Sequence, residues 1–419
     1  MNLPANPSMG KPVERPPTTC CIAGGGPAGL MLGLLLARAG VDVVVLEKHA
    51  DFLRDFRGDT LHPSTLEVMR ELGLDERLLD LPHQKVREIA AQFGDSEGIM
   101  ADFRHLPVSH PYIALMPQWD FLNFLATEAA RYPTFTRIMQ AEATDLLMRD
   151  GRVAGVSAHS ADGPVEIRAD LVVDATGRGS RLRGKAGLSV ENLGAPIDVF
   201  WFRLSRMPGD TDQTGGRFDR GGVFVRIFRG DYWQCAYVIA KGQADEIRER
   251  GIGAFRATIA ALLPFPDDRV AELRSFDDVS LLSVAVDRLT TWHRSGFLCI
   301  GDAAHAMSPI GGVGINLAIQ DAVAAANILA GPLIAGRLVD EDLALVQQRR
   351  QFPTRLTQAA QIFLQNRVLA PALSAQGAIR PPLAARLLAR FPRLRRIPAH
   401  LIGIGVRPEH VRTPEHAAP

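Results

Sequence analysis

Short, wholly apolar runs alternate along the chain with longer amphipathic stretches, and the two kinds predict different elements. Residues 20–23 are an apolar run, 24–29 a glycine turn, and 30–39 have helical composition. Gly40 suits a C-cap, and 41–46 are strongly β-branched. This is a βαβ unit with parallel strands. Residues 57–74 begin as loop and turn helical, with Thr65, Val68, Met69 and Leu72 on one stripe. A helix is expected over 118–131. Antiparallel strands are expected over 137–148, 153–159 and 165–167, and a buried strand over 171–173.

Beyond this point aromatic and β-branched residues dominate. Strands are predicted over 199–204, 222–228 and 232–240, with Trp233, Cys235, Tyr237 and Ile239 on one face. An amphipathic helix follows over 246–263, then a strand over 279–286. Residues 297–300 return to a buried strand, a small-residue helix spans 317–329, and 340–364 are helical. Pro371, Pro381, Pro382, Pro392 and Pro398 break the remainder into short helices. The fold class is α/β: a discontinuous Rossmann-like unit interrupted by a mostly antiparallel sheet. The expected division is a flexible leader over 1–18, the Rossmann-like domain over 19–190 and 287–335, a sheet domain over 191–286 joined by part of 80–115, and a helical segment over 336–419.

Composition narrows the function. With 419 residues, 47% hydrophobic and 22% charged, the chain has the balance of a globular protein of two or three domains. A formal charge of +1 gives no field to attract nucleic acid. Cys20, Cys21, Cys235 and Cys299 form no C-x-x-C pair, so no metal site is expected, and their apolar settings suit a reducing cytoplasm. Residues 1–19 lack an apolar core and do not read as a signal peptide. The longest apolar stretch, 20–46, is interrupted by glycines, Pro27, Arg38 and Asp42, so no integral membrane span is expected.

Two motifs carry the chemistry. Gly24-Gly25-Gly26-Pro27-Ala28-Gly29 is a G-x-G-x-x-G between strand and helix. Gly24 permits the tight turn, Gly26 lets backbone approach a pyrophosphate, and Gly29 lets helix pack on strand. The helix N-terminus offers N–H groups to phosphate. Glu47, at the end of the second strand and followed by Lys48, sits where an acid meets a ribose. The second motif runs from Gly301-Asp302-Ala303-Ala304-His305 through Pro309 to Gly311-Gly312-Val313-Gly314-Ile315-Asn316. An acid after a buried strand can hold a polyhydroxyl chain. A glycine loop opening a helix can lay N–H groups against a flat ring and stabilise its reduced, anionic form. Two such helix starts suit the two ends of one long cofactor.

On these residues the chain resembles the para-hydroxybenzoate hydroxylase family of flavoprotein monooxygenases, from about residue 19 to 329. Arg57-Gly58-Asp59-Thr60-Leu61-His62-Pro63 is similar to the family segment whose arginine contacts the cofactor. The resemblance implies FAD and a transient nicotinamide donor, NADPH or NADH, with O2 and a small organic substrate. It implies that Asp302 binds the ribityl chain, that backbone at Gly314–Asn316 meets the pyrimidine edge, and that Pro309 lies beside the reacting edge. Gln118 would reach the ribityl or phosphate region. Arg57 and Gln118 also read as a surface residue and an N-cap residue. In place of the family's Asp-Gly pair the chain has Thr176-Gly177, which leaves the nicotinamide docking open.

Hydroxylation by a flavin needs hydride to reach the ring, oxygen to add at C4a, and the adduct to be kept dry. Candidate substrate walls are Trp201, Arg203, Arg226, Trp233, Gln234 and Tyr237, each of which also reads as core or solvated sheet face. His305 reads either as a proton-transfer group or as a structural histidine. The arginine-rich C-terminal run leaves a homodimer contact, a membrane-surface contact and a solvated helix open. The leading expectation is an aromatic hydroxylase. A flavin dehydrogenase or reductase is the alternative, a halogenase is disfavoured for want of a W-x-W-x-I-P-like run, and a non-catalytic flavin module is the remaining reading.

Overall fold

The computed structural model describes residues 13–53, 59–210, 213–219, 222–263, 267–375 and 379–416. Its first layer is a parallel sheet in the order Phe135–Ile138, Val43–Leu46, Thr18–Ala23, Gly163–Asp174 and Phe297–Cys299. Strands buried on both faces read as unbroken apolar runs, which is why 20–23 and 171–173 carry no alternation. Registers are fixed by pairs such as Cys20↔Val43, Leu171↔Cys20 and Val172↔Phe297. The helix Pro27–Arg38 is buried on all sides because the helices Gln118–Ala129 and Gly314–Ile334 both pack on it. Gly314–Ile334 lies in the only helix among the described residues that is long and apolar enough to cross a membrane. Its packing against Pro27–Arg38 and Asp340–Leu364 makes it a core helix.

The second layer is a seven-stranded sheet: Ser280–Ser283, Ile197–Ser205, Tyr232–Ala240, Gly222–Phe228, Gly215–Asp219, Glu88–Phe93 and Ser96–Asp102. All pairs are antiparallel except Gly215–Asp219 with Glu88–Phe93. The hairpin Glu88–Asp102 therefore reaches this sheet from within the cofactor half. One face packs Phe200, Phe202 and Trp233 on Phe255 and Ile259 of a helical cover. The other faces the cofactor layer.

Several details differ from the sequence expectations, and residues 165–167 and 171–173 belong to one strand, Gly163–Asp174. The single helix over 246–263 is two, Ala244–Glu249 and Gly251–Ala260. Gly251, the first residue of the second, has φ +84°, a left-handed turn that stops the first helix. The strand over 137–148 is also two. Phe135–Ile138 pairs parallel with Val43–Leu46, while Glu142–Arg149 begins the antiparallel set. Residues 13–14, read as part of a loose leader, pair with Val165 and Glu166; residues 1–12 of that leader lie outside the described residues.

Candidate functional site

A cavity of about 940 Å³ separates the two layers and runs from the Gly24 turn to the sheet. That is the upper end of the range for small-molecule and cofactor sites. At its first end main chain sets the shape. Gly24 has φ +107°, and a Cβ there would lie 2.4 Å from the Ala175 carbonyl oxygen. A Cβ on Gly29 would lie 1.9 Å from the Gly24 oxygen. A Cβ on Gly26 would meet nothing within 4 Å, because Gly26 borders the open cavity. The helix starts at Pro27 with no side-chain cap, which leaves its first N–H groups for a ligand. Buried Glu47 accepts N–H bonds from Gly25 and His49, both at 3.0 Å, and with Lys48 and Ala28 it borders the same space.

At the middle of the cavity a second glycine loop comes in from the strand Phe297–Cys299. Gly311 and Gly312 have φ +77° and +64°. A Cβ on Gly312 would press on Thr60, whose hydroxyl donates to the Gly312 carbonyl at 2.9 Å. Gly314 starts the long helix, again without a side-chain cap. Asp302, Pro309, Gly312, Gly314 and Ile315 line the cavity. Gly301 supports the loop from behind: its N–H donates to Asp321 at 3.0 Å. The Asn316 side chain turns inward. It accepts from the His62 N–H at 2.8 Å and the Thr65 hydroxyl at 2.7 Å, and it donates to the Thr60 and Gly312 carbonyls. Its role is to pin the loop to the 60–65 segment.

His305 does not reach the cavity. Its Nε2 lies 2.6 Å from Asp321, and its ring packs on Trp292 in the interior. Asp321 also takes Arg350 at 2.9 Å. Burial works to raise the Asp321 carboxyl, but His305 and Arg350 overcome it and hold it below the ordinary range. The catalytic expectation for His305 is therefore corrected: it belongs to a buried charge network behind the loop.

Thr176 and Gly177 border the cavity, and Thr176 is tied down by Asp174. Its N–H and hydroxyl both donate to Asp174 Oδ1, at 3.0 and 2.6 Å, while the Ser180 hydroxyl takes Oδ2. Arg178 pairs with Asp302 at 3.1 Å, and its Nη1 is buried without a partner among the described residues. Gln118 is on the wall, and its N–H donates to Asp59 at 3.2 Å. Asp59 pairs with Arg229 at 2.7 Å, and Arg229 also donates to the Gln234 side chain. Burial pushes the Asp59 carboxyl up against the pull of Arg229, and the same burial pushes Arg229 down. This trio fastens the cofactor layer to the sheet. Sequence reasoning assigned no role to Arg178, Asp59 or Arg229, because their pairings join distant segments. Arg57 lies outside the described residues.

Of the six expected substrate walls, Trp201 and Gln234 face the cavity, beside Val199, Val225, Ala236 and Val238. The other four do not, which corrects the expectation for them. Trp233 and Tyr237 belong to the opposite face, where Trp233 donates to Asp210 at 3.0 Å. Arg226 is buried and donates to the Gln213 carbonyl, while Arg203 is exposed and stacks on Tyr232. Strand parity puts Trp233, Tyr237 and Arg226 on the face away from the cavity, whereas Arg203, opposite Gln234 in the register, shares the cavity-side face but lies outside the cavity.

The residues present fit FAD. The open space at Gly26, the uncapped helix starts at Pro27 and Gly314, and the unpartnered Arg178 nitrogen lie along one continuous cavity. A family model described as "FAD binding domain" matches residues 17–360. The chain belongs to this family of flavoprotein monooxygenases. It is 34% identical over 391 residues to 6-methylpretetramide 4-monooxygenase of Streptomyces rimosus, covering 92% of each chain. Among solved structures it resembles p-nitrophenol 4-monooxygenase PnpA of Pseudomonas putida DLL-E4, with a TM-score of 0.74, 20% identity and coverage of 92% and 97%. It also resembles the myxobacterial chondrochloren halogenase CndH, with a TM-score of 0.72, 18% identity and coverage of 92% and 91%. Those two likenesses concern the fold alone. The family member described here is an FAD-dependent oxidoreductase of the monooxygenase type.

Proposed function

We propose that this flavoprotein hydroxylates an aromatic or similarly flat, largely apolar small molecule, with NADPH or NADH as electron donor. The carrying observation is the continuity of the cavity: the glycine-lined space of the cofactor runs directly into the apolar face formed by Val199, Trp201, Val225 and Ala236. When bound, FAD supplies the activation of O2 and the transfer of one oxygen atom to the substrate. The chain's residues do the rest. Uncapped N–H groups at the start of the helix Gly314–Ile334 favour negative charge on a ring laid against them. Asp302, fixed by Arg178, accepts hydrogen bonds from a polyhydroxyl chain. The apolar sheet face excludes water and aligns the substrate. Gln234, held by Arg229, offers a polar fixed point in that wall. The name of the Streptomyces rimosus relative supports oxygenation over simple dehydrogenation. Thr176, the one sequence hint for a dehydrogenase, has its hydroxyl engaged by Asp174.

The test uses purified, yellow protein with a panel of phenols and aromatic acids. Nicotinamide oxidation, oxygen uptake and peroxide release are followed together, and products are weighed by mass spectrometry. The expected result is substrate-stimulated oxygen uptake with a product heavier by one oxygen atom. Turnover that continues without oxygen, given another acceptor, would overturn the reading.

A further inference from the structure

The C-terminal part of the chain holds a charge asymmetry that the flavin site does not use. Between Asp342 and Glu409 stand eleven arginines and no aspartate, glutamate or lysine. The whole chain has a formal charge of +1, so its other residues together carry −10. Arg349 and Arg350 are engaged with Glu409, and Arg350 also with Asp321. Arg386, Arg390, Arg393 and Arg396 are exposed, and none of them has an acidic partner among the described residues.

Between these arginines runs an outward apolar ridge. Leu383, Leu387, Phe391, Leu394, Ile397 and Leu401 are all exposed, Leu383 by 68% and Ile397 by 59%. Their spacing of three and four residues is that of a helical stripe seeking burial. It persists through the helices Leu383–Arg390 and Arg396–Gly403 and the turn Pro392–Arg395 between them. The inner side is already satisfied: Ala385 and Ala399 are buried, and both helices pack on the edge strand Ser96–Asp102. A solvated helix face would carry polar residues at the ridge positions. A second copy docking by the same ridge would bring its own row of exposed arginines against this one.

We propose that the surface over 383–401 docks on an anionic lipid bilayer. Leucine, isoleucine and phenylalanine side chains would enter the boundary between headgroups and acyl chains. Arginine stems would lie along that apolar layer while their guanidinium groups meet lipid phosphates. The complementary charge of the partner follows from the arginines, and its apolar depth follows from the ridge.

The test is co-sedimentation of the FAD-loaded full chain with phosphatidylcholine vesicles, with and without phosphatidylglycerol. Binding is expected only with phosphatidylglycerol and should weaken as salt is raised. Arg386→Gln/Arg390→Gln/Arg393→Gln should bind about a hundredfold more weakly. Leu383→Ser/Phe391→Ser/Ile397→Ser should bind at least about tenfold more weakly. Both variants should keep full FAD content and nicotinamide oxidation, which shows that they are folded. Failure of the native chain to sediment with anionic vesicles would overturn the proposal, including the case in which an acidic protein takes the surface instead. Unchanged binding by the serine variant would also overturn it, since adsorption would then be electrostatic alone. So would a native dimer that becomes monomeric in the serine variant without any vesicle binding.

Discussion

At the glycine end of the cavity the wall is main chain, and one added carbon atom at Gly24 or Gly29 collides with a carbonyl oxygen. At the sheet end the wall is side chain, and residues such as Val199, Val225 and Ala236 can exchange volume with a substrate or with one another. The first end is suited to one invariant ligand. The second can be reshaped without disturbing the first, which is how one cofactor site can serve different substrates.

The harshest way to break this comparison is Gly29→Ala. A Cβ 1.9 Å from the Gly24 oxygen forces turn and helix apart, so the purified variant should be colourless, with less than about a hundredth of native FAD affinity in a flavin titration. Retention of flavin would show that the glycine end is as tolerant as the sheet. The two faces of the sheet come next. Trp233→Ala empties a fully buried site in the helix-covered core and should cost about 3–5 kcal/mol in denaturant unfolding, with little change in KM for the folded fraction. Trp201→Ala, on the cavity face, should do the reverse: a small stability loss and roughly a tenfold rise in KM. Equal stability losses would erase the distinction between the faces.

A third test concerns pH. Burial lowers the His62 imidazole from 6.5 to about 4, although its Nδ1 bonds to the Ile402 carbonyl at 2.7 Å. The unfolded chain therefore takes up the proton first as pH falls. His62 contributes full stability above about pH 6.5, and that contribution is lost progressively toward pH 4, by about 3 kcal/mol in total. His62→Phe should flatten this part of the stability curve, as read from urea midpoints. The mildest test is Asp302→Ala, which removes a side chain from the glycine end and leaves its backbone unchanged. FAD affinity should fall about tenfold to a hundredfold, with the fold intact by circular dichroism. A loss as complete as that of Gly29→Ala would mean that side chains govern this end too.

The legible parts of the molecule were those fixed locally. Gly24, Gly26 and Gly29 are required by a turn, an open approach and a packing contact within six residues, so with the strand before and the helix after them their spacing predicts the local shape they form. The same holds for Gly312 and Gly314. What needs tertiary context was not legible. Alternation put Trp233 and Tyr237 on one face, but with both faces covered nothing local says which face meets the cavity, nor that Trp201 of the neighbouring strand joins Gln234 there. The amphipathic pattern over 246–263 runs on through Gly251, and only the folded chain shows the left-handed turn there. His305 has a chemically suggestive place beside its motif, and only the folded chain shows Asp321, on the following helix, holding it.

The strand Gly163–Asp174 has a consequence for how the flavoprotein can fail. Its last residues pair with Thr18–Ala23 on one side and with Phe297–Cys299 on the other, so Asp174 stands opposite both Ala23 and Cys299. Each glycine loop hangs from one of those neighbours. Melting of this single ribbon would release both grips in the same event. Half-empty intermediates, holding the nucleotide by one end while the ring swings loose, have no strand left to support them.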